Sequence, residues 1–259
     1  MDRLKGRVAI VTGAGQGIGR GIAHRYAREG ATLVVAEIDA ALGRRTEEEL
    51  RALGAEALFV ATDVGRREDT VRMVEATVAR FGRLDVLVNN AQPFTPLAPL
   101  ERKTDAMLER SLGGLHGTWW AMLAAFPHMK AQGGGRIVNF GSRSGRDGNY
   151  YTADYNAAKE AIIGLSRSAA REWGPCSILV NVICPGAASP AYLAYKEANP
   201  VQAAELEALI PLRRQGDPER DIGGVALFLA TEDARYLTGH VLYVDGGGHL
   251  GAGVWKPAI

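Results

Sequence analysis

The stretch Thr12-Gly13-Ala14-Gly15-Gln16-Gly17-Ile18-Gly19 decides the fold, because it joins an apolar run, Val8–Val11, to an amphipathic segment over residues 17–29. Its glycines allow a tight turn, let the backbone approach a pyrophosphate, and permit close packing of a helix on a strand. The free N–H groups at the helix start would then face the phosphates. We therefore predict strand, turn and helix, with a dinucleotide held by Gly13, Gln16, Gly17, Ile18 and Gly19.

Short apolar runs alternate with amphipathic segments along the rest of the chain. The apolar runs are rich in Val, Leu and Ile without polar alternation, as expected for parallel strands covered on both faces. The predicted strands are 8–11, 32–36, 57–61, 86–89, 136–140, 179–184 and 241–244, and the predicted helices are 17–29, 40–53, 66–81, 102–131, 153–173 and 218–230. This alternation predicts one α/β domain over 1–259, a Rossmann-type doubly wound parallel sheet of about seven strands flanked by helices.

Residues 187–215 interrupt this rhythm. The segment follows Pro185-Gly186, contains Ser189-Pro190 and Asn199-Pro200, and carries a helix-like stretch at 201–209. An irregular insertion this late in such a fold predicts a substrate loop that acts as a lid.

Composition excludes several classes of protein. The chain has 259 residues, 47% of them hydrophobic, with 30 Lys and Arg against 29 Asp and Glu. This balance argues against a nucleic-acid surface or a basic membrane face, and no apolar run approaches the roughly 18 residues of a membrane span. Cys176 and Cys184 are the only cysteines, so we predict no disulfide framework, no metal site and a reducing, cytoplasmic setting.

The residues after the second, third and fourth strands indicate which nucleotide binds. Glu37 lies 18 positions beyond Gly19, near where an acid would bind the adenosine ribose hydroxyls and repel a 2′-phosphate. The glycine stretch carries neutral Gln16 rather than a basic residue, so we predict NAD rather than NADP. Asp63-Val64 is expected beside the adenine, and Asn90-Ala91 beside the cofactor cleft.

The whole chain resembles the short-chain dehydrogenase/reductase family. The matching pieces are Thr12–Gly19, Asp63-Val64, Asn89-Asn90-Ala91, Ser142, Tyr155-Asn156-Ala157-Ala158-Lys159, Pro185-Gly186 and Tyr243-Val244-Asp245-Gly246-Gly247. The resemblance implies alcohol/carbonyl chemistry with NAD(P) and a small-molecule substrate, in a homotetramer or homodimer. It also implies that Pro185, Gly186 and Ala188 contact the cofactor.

The resemblance further assigns the chemistry to Ser142, Tyr155 and Lys159. Hydride transfer from an alcohol needs a base for the hydroxyl proton, and a free tyrosine with a pKa near 10 is a poor one. Lys159 lies one helical turn from Tyr155, where its ammonium, with the oxidised nicotinamide, would stabilise the phenolate. Tyr155 is thus the expected general acid/base, Lys159 its partner and a ligand of the nicotinamide ribose, and Ser142 a donor to the reacting oxygen.

Three positions depart from the family pattern. Gly114 stands where the family carries an Asn that holds a water in a proton relay, and we hypothesise that Ser111 holds this water instead. Gln92 stands where Gly usually follows Asn-Asn-Ala. Pro190 replaces a Thr expected to bind the carboxamide, a role that Ser189 could take.

The substrate is indicated only in outline. Aromatic residues near the expected pocket suggest a partly apolar, cyclic secondary alcohol or ketone, and the candidate contacts are Gln92, Arg143, Tyr150 and Tyr192. Two alternatives stay open: an NADPH-dependent 3-oxoacyl reductase, and an NAD-binding protein whose site has degraded at Gly114. The glycine-rich tail, Gly248–Ile259, suggests docking on a neighbouring subunit.

Overall fold

The computed structural model describes residues 2–251, and the predicted docking role of the tail falls largely on residues 252–259, outside them. The strands of this part are β1 Val8–Thr12, β2 Thr32–Glu37, β3 Ala57–Ala61, β4 Val86–Asn89, β5 Gly135–Phe140, β6 Ile178–Pro185 and β7 Val241–Val244. All seven pair in parallel in the order β3-β2-β1-β4-β5-β6-β7. The predicted sheet is thereby confirmed.

Helices cover both faces of this sheet. They are α1 Gly17–Ala27, α2 Ala40–Ala52, α3 Arg67–Phe81, α4 Asp105–Ala131, α5 Arg143–Asp147, α6 Ala153–Trp173, α7 Pro190–Ala198, α8 Pro200–Ala208 and α9 Gly223–Ala230. Successive residues of β1 point to opposite cores: Val11 packs in the core with Ile22 of α1 and Leu227 of α9, whereas Ile10 packs with Met122 of α4. Burial on both faces explains the continuous apolar runs of the strands.

Two predicted helices differ from the structure by more than two residues or in helix type, and two helices had not been predicted. Helix α4 begins at Asp105 rather than at 102, because the Thr104 hydroxyl accepts from Met107 N and caps it. The predicted helix at 218–230 is a π-helical turn, Pro218–Ile222, followed by α9. Helices α5 and α7 had not been predicted, and both begin at a serine whose side chain accepts a backbone N–H two or three residues on.

The strand order reverses between β1 and β4. The chain continues from β1 towards β2 on one side and from β4 towards β5 on the other. In open α/β sheets, ligands bind in the crevice beyond the carboxyl ends of the strands at such a switch point. The loops after β1, β2, β4 and β5 carry most of the residues predicted to bind or react, so the fold gathers them at one edge.

Candidate active site

The turn after β1 has the geometry that the glycine pattern predicts. Gly13 and Gly17 have φ values of +64° and +55°, which side chains disfavour. A Cβ on Gly19 would collide with the carbonyl of Gly13, so this helix residue must be glycine. No side chain of the described residues caps the start of α1, since Gln16 is extended and makes no capping bond. The first N–H groups of α1 are therefore available to an anion.

Glu37 lies at the end of β2 with its carboxylate turned towards this turn. One oxygen accepts from Gly15 N at 2.9 Å, and the other accepts from Ile38 N and Asp39 N at 2.9 and 3.2 Å. Only 8% of the residue is exposed. The carboxylate thus supports the glycine turn and places a negative charge at the wall of the adjoining cavity.

That cavity has a volume of about 510 Å³ and lies beyond the ends of β1, β2 and β4. Its walls are formed by Gly13, Glu37, Ile38, Thr62, Asp63, Val64, Gly65, Ala91, Pro93, Glu109, Arg110, Gly113 and His116. Gly117 of α4 lets the Val64 backbone approach, because a Cβ there would lie 2.7 Å from Val64 O. The size, the acidic wall and the adjoining glycine turn fit the adenosine half of a dinucleotide.

The loop after β4 is bound to the glycine turn. Asn90 Nδ2 donates to Thr12 O at 2.9 Å, and the N–H groups of Asn90 and Ala91 both donate to the Thr12 hydroxyl at 3.0 Å. The predicted cofactor residues of these two loops therefore form one wall of the crevice.

The segment after β6 closes the opposite side of the crevice. Gly186 N donates to Val244 O, and Ala188 N donates to Gly216 O, so Pro185–Ala188 continues the line of the sheet. Ser189 Oγ accepts from Tyr192 N and caps α7. Pro190 Cδ lies 3.2 Å from where a Cβ of Gly17 would be, so α7 begins against the glycine turn.

Ser142, Tyr155 and Lys159 meet beyond the end of β5. Ser142 caps α5, its Oγ accepting from Ser144 N at 3.1 Å, and its hydroxyl lies near enough to Tyr155 to favour the phenolate form. Lys159 Nζ lies 5.6 Å from the centre of the Tyr155 ring and donates to Phe140 O at 2.9 Å. The three side chains that sequence spacing singled out are therefore neighbours in space.

Burial has the largest effect on the pKa values of Tyr155 and Lys159. It raises the pKa of Tyr155 above its ordinary value, and the nearby Ser142 hydroxyl only partly offsets this. Burial also lowers the pKa of Lys159 to about 8, so the amine is still mostly protonated at pH 7. Burial of Tyr155 therefore opposes the phenolate form that Lys159 and an oxidised nicotinamide are expected to favour.

A buried chain of side chains supports the site from behind. Asn89 Nδ2 donates to Asn139 Oδ1 at 2.9 Å, Asn139 Nδ2 donates to Ser166 Oγ at 2.8 Å, and Ser166 donates to Ile162 O. These bonds join β4, β5 and α6. They fix the helix that carries Tyr155 and Lys159 against the strands.

Asp154 forms a second buried cluster, which sequence reasoning missed. Its carboxylate accepts from Thr95 Oγ1 at 2.5 Å and Ser111 Oγ at 2.8 Å, and it pairs with Lys103 Nζ at 2.8 Å. Burial alone would raise the pKa of Asp154, but the bonds from Lys103, Thr95 and Ser111 outweigh it and hold the pKa well below its usual range. The only signal in the sequence was an acid directly before Tyr155.

The hypothesis that Ser111 holds a relay water stays a prediction. The Ser111 hydroxyl donates its proton to Asp154, so it can meet a water only as an acceptor. Gln92, by contrast, turns its amide onto Gly114 of α4.

Of the other predicted substrate residues, Arg143 and Tyr192 have partners of their own, whereas Tyr150 is exposed. Arg143 pairs with Asp147 at 3.4 Å and lies 3.9 Å from Asp245, and Tyr192 donates its hydroxyl to Glu207 Oε1 at 2.9 Å. Tyr150 is 88% exposed. Phe94, another residue of the expected pocket region, stacks on Tyr155 with ring centres 5.8 Å apart.

Comparison with known proteins identifies the family. A family model described as "Enoyl-(Acyl carrier protein) reductase" matches residues 13–249. The 12alpha-hydroxysteroid dehydrogenase of Clostridium sp. is 40% identical over 255 residues, which cover 95% of this chain and 98% of that protein. The chain belongs to the short-chain dehydrogenase/reductase family.

Solved structures agree with this assignment. The NAD⁺-bound xylitol dehydrogenase superposes with a TM-score of 0.88 at 32% identity, covering 94% of this chain and 99% of that one. The 7α-hydroxysteroid dehydrogenase complexed with NADH and 7-oxo glycochenodeoxycholic acid has a TM-score of 0.87 at 31% identity, covering 95% and 96%. The chain is an oxidoreductase that transfers hydride between a nicotinamide cofactor and an alcohol or ketone.

Neither a metal-binding cluster nor a membrane-spanning helix occurs in the part of the chain that the structure describes. Among residues 2–251, no group of three His, Cys, Asp or Glu side chains is arranged to hold a metal ion. In the same range, no helix combines the length and the apolar character that crossing a membrane requires.

Proposed function

We propose that the chain is an NAD-linked dehydrogenase/reductase of secondary alcohols and ketones, in which Tyr155 is the general acid/base. The observation that carries this proposal is the meeting of Ser142, Tyr155 and Lys159 at the edge of the crevice that begins at the glycine turn. When bound, the nicotinamide supplies the hydride acceptor or donor.

The protein's own groups handle the proton and the oxygen. In oxidation, Tyr155 removes the hydroxyl proton while hydride leaves the same carbon, and in reduction Tyr155 returns the proton to the oxygen. Ser142 donates a hydrogen bond to the reacting oxygen. The Lys159 ammonium, largely protonated at pH 7, lies beside the Tyr155 ring and favours the phenolate.

The preference for NAD over NADP rests on Glu37. Its carboxylate is buried in the wall of the cavity and fixed by three backbone N–H groups, so it does not swing away from a 2′-phosphate. Two like charges about 5 Å apart repel by roughly 3 kcal/mol at an effective dielectric constant of about 20. The remaining cofactor contacts we propose are those of the glycine turn, Asp63-Val64, Asn90-Ala91 and Pro185–Ala188.

For the substrate we propose a bulky, largely apolar cyclic alcohol or ketone, with 187–215 as its loop. Exposed apolar side chains belong to the loops on either side of Tyr155 and to the 187–215 segment: Phe94, Leu97, Tyr150, Tyr151, Leu193, Leu209 and Leu212. Apolar surface of this kind, next to one polar reacting group, is typical of sites for large ring compounds. The steroid relatives act on molecules of this type.

We further propose that the chain forms a homodimer or homotetramer through α4 and α6. A surface cavity of about 800 Å³ lies between these helices, and Trp119 at its wall is 49% exposed. An exposed tryptophan in an apolar groove favours a protein interface. Cys176 and Cys184 are both free, which is consistent with a cytoplasmic setting.

Initial rates with NAD⁺ and NADP⁺ test the cofactor proposal. We expect kcat/KM to favour NAD⁺ by at least about tenfold, and the isosteric, uncharged Glu37→Gln to reduce this ratio by about tenfold or more. Asp39→Asn, which changes a nearby acid that caps α2, is the control for net charge. Equal use of both cofactors by the unmodified protein would contradict the proposal.

A further inference from the structure

Three arginines and two acids surround a cavity at the edge of the sheet opposite the candidate active site. The cavity has a volume of about 230 Å³, and its charged walls are Arg7, Arg83, Asp85, Arg136 and Glu232. Arg7 directly precedes β1, Asp85 directly precedes β4, and Arg136 is the second residue of β5. These side chains therefore belong to the amino ends of parallel strands. The cofactor crevice lies beyond the carboxyl ends, so the cavity is a separate place in the fold.

Asp85 is already bound on both of its carboxylate oxygens. Arg83 donates to one oxygen from Nε at 2.7 Å and to the other from Nη2 at 2.6 Å. Arg7 Nη1 and Val8 N also donate to this carboxylate, both at 2.9 Å. Burial alone would raise the pKa of Asp85, but the bonds from Arg83, Val8 and Arg7 outweigh it and hold the pKa below its ordinary value. Asp85 therefore stays ionised, and its charge is used by its present partners.

Arg136, by contrast, is largely buried and has only a distant, exposed carboxylate as its acidic partner. The Arg136 side chain is 14% exposed, whereas that of Glu232 is 67% exposed, and Glu232 Oε1 lies 3.2 Å from Arg136 Nη2. The same oxygen lies 3.4 Å from Arg7 Nη2, so one surface carboxylate serves two guanidiniums. Both distances exceed the roughly 2.7–2.9 Å that is usual between a guanidinium and a carboxylate. The pairing of Arg136 is therefore weak.

The Arg136 guanidinium also has donor capacity left over. Its Nη1 donates to Gly135 O at 3.2 Å, but its Nε is buried and has no hydrogen-bond partner within residues 2–251. Burial lowers the pKa of Arg136, Glu232 opposes this effect, and the charge of Arg7 adds to it. A buried charge whose pairing is incomplete is unfavourable. An anion in the cavity would relieve this cost.

We propose that the cavity binds a tetrahedral dianion of the phosphate or sulfate type between Arg7 and Arg136, in the place of the Glu232 carboxylate. The three arginines exceed the two acids by one charge, and by two when the exposed Glu232 turns to solvent, which matches a dianion. The planar guanidinium group binds such oxyanions through two parallel N–H bonds. The cavity is smaller than the roughly 300 Å³ at which pockets for drug-sized ligands begin, which favours an inorganic ion.

Thermal unfolding at constant ionic strength tests this site. Inorganic phosphate replaces NaCl stepwise, and the dependence of Tm on its concentration gives an apparent Kd. Phosphate also stabilises folded proteins by exclusion from their surface, and the start of α1 offers further N–H groups to an anion, so the decisive quantity is the difference between variants. Sulfate is titrated in parallel, and the ion with the lower Kd is the one that the cavity selects.

Arg136→Met should weaken phosphate binding by at least about tenfold, because the charge-assisted hydrogen bonds of this guanidinium are lost. Arg80→Met is the matched control, because Arg80 is paired with Glu56 at 2.9 Å on the surface and does not line the cavity. It should leave the apparent Kd unchanged. An apparent Kd that is the same in Arg136→Met as in wild type would overturn the proposal.

Glu232→Gln gives a test of opposite sign, and it changes a surface side chain whose loss the fold should tolerate. It removes the carboxylate that competes for Arg7 and Arg136, so phosphate should bind about threefold or more tightly. Glu56→Gln, which removes one acid elsewhere on the surface, is the control for net charge and should leave the Kd unchanged. Phosphate binding that is no tighter in Glu232→Gln than in Glu56→Gln would also overturn the proposal.

Discussion

Replacing Asp154 by Asn should destabilise the protein strongly, although the change is isosteric and lies beside the site. Lys103 has a side chain only 7% exposed, and its ammonium lies 2.8 Å from the Asp154 carboxylate, whose own side chain is 2% exposed. Asn leaves that ammonium buried without a counter-charge, and breaking a buried pair in this way costs about 3–5 kcal/mol. For a chain of this size the loss corresponds to a Tm lower by roughly 10 °C.

Urea unfolding and thermal unfolding of the two proteins measure this loss. Glu56→Gln is the control, because the Glu56–Arg80 pair has a similar distance of 2.9 Å but lies on the surface and should be worth less than about 1 kcal/mol. Lys103→Met/Asp154→Leu removes both charges and should be more stable than Asp154→Asn. If Asp154→Asn lowered the free energy of unfolding no more than Glu56→Gln does, the buried cluster around Asp154 would not stabilise the fold.

The pH dependence of the free energy of unfolding tests the same Asp154 cluster independently. The folded state holds the pKa of Asp154 below its ordinary value near 4, so the folded protein binds fewer protons there than the unfolded chain. The stabilisation is therefore present above about pH 4 and is lost as the pH falls further. The stability gap between wild type and Asp154→Asn should shrink in that range, and a constant gap would contradict the assignment.

Three further predictions concern other parts of the molecule. Because burial lowers the pKa of Lys159 from 10.5 to about 8, Lys159→Met should be more stable than wild type below pH 8, and the gap should narrow by up to about 3 kcal/mol between pH 8 and 10.5. Gly43→Ala should lower the unfolding midpoint because its Cβ would collide with the Phe59 ring, whereas Gly224→Ala, in open space, should not. Trp119→Glu should shift the protein from oligomer to monomer in sedimentation experiments, with unfolding of the monomer unchanged.

The parts of the fold that were predicted correctly are those that local chemistry determines. The runs 57–61, 86–89 and 241–244 match β3, β4 and β7 residue for residue, because each is a short, mostly apolar run flanked by polar residues. The helix at 153–173 also matches α6. The one-turn spacing of Tyr155 and Lys159 placed both side chains on one face of that helix.

The parts that were missed depend on contacts between distant segments. Lys103 and Asp154 are 51 positions apart and meet only because α4 packs on α6, so nothing near either residue indicates the pair. The amide of Gln92 reaches Gly114 for the same reason: a loop and a helix approach more closely than periodicity can reveal. The hydrogen bond from the Ser111 hydroxyl to the buried Asp154 carboxylate also joins residues 43 positions apart, and the sequence did not indicate it.

The central claim is that Tyr155 transfers the proton in an NAD-linked reaction. The most direct test follows NAD⁺ reduction with a panel of cyclic, aromatic and aliphatic secondary alcohols, for wild type and for Tyr155→Phe, with NADH binding measured for both. We expect wild-type turnover that is greatest for bulky cyclic alcohols, and a loss of at least about 10²-fold in Tyr155→Phe with NADH binding retained. Turnover in Tyr155→Phe equal to that of wild type would contradict the account.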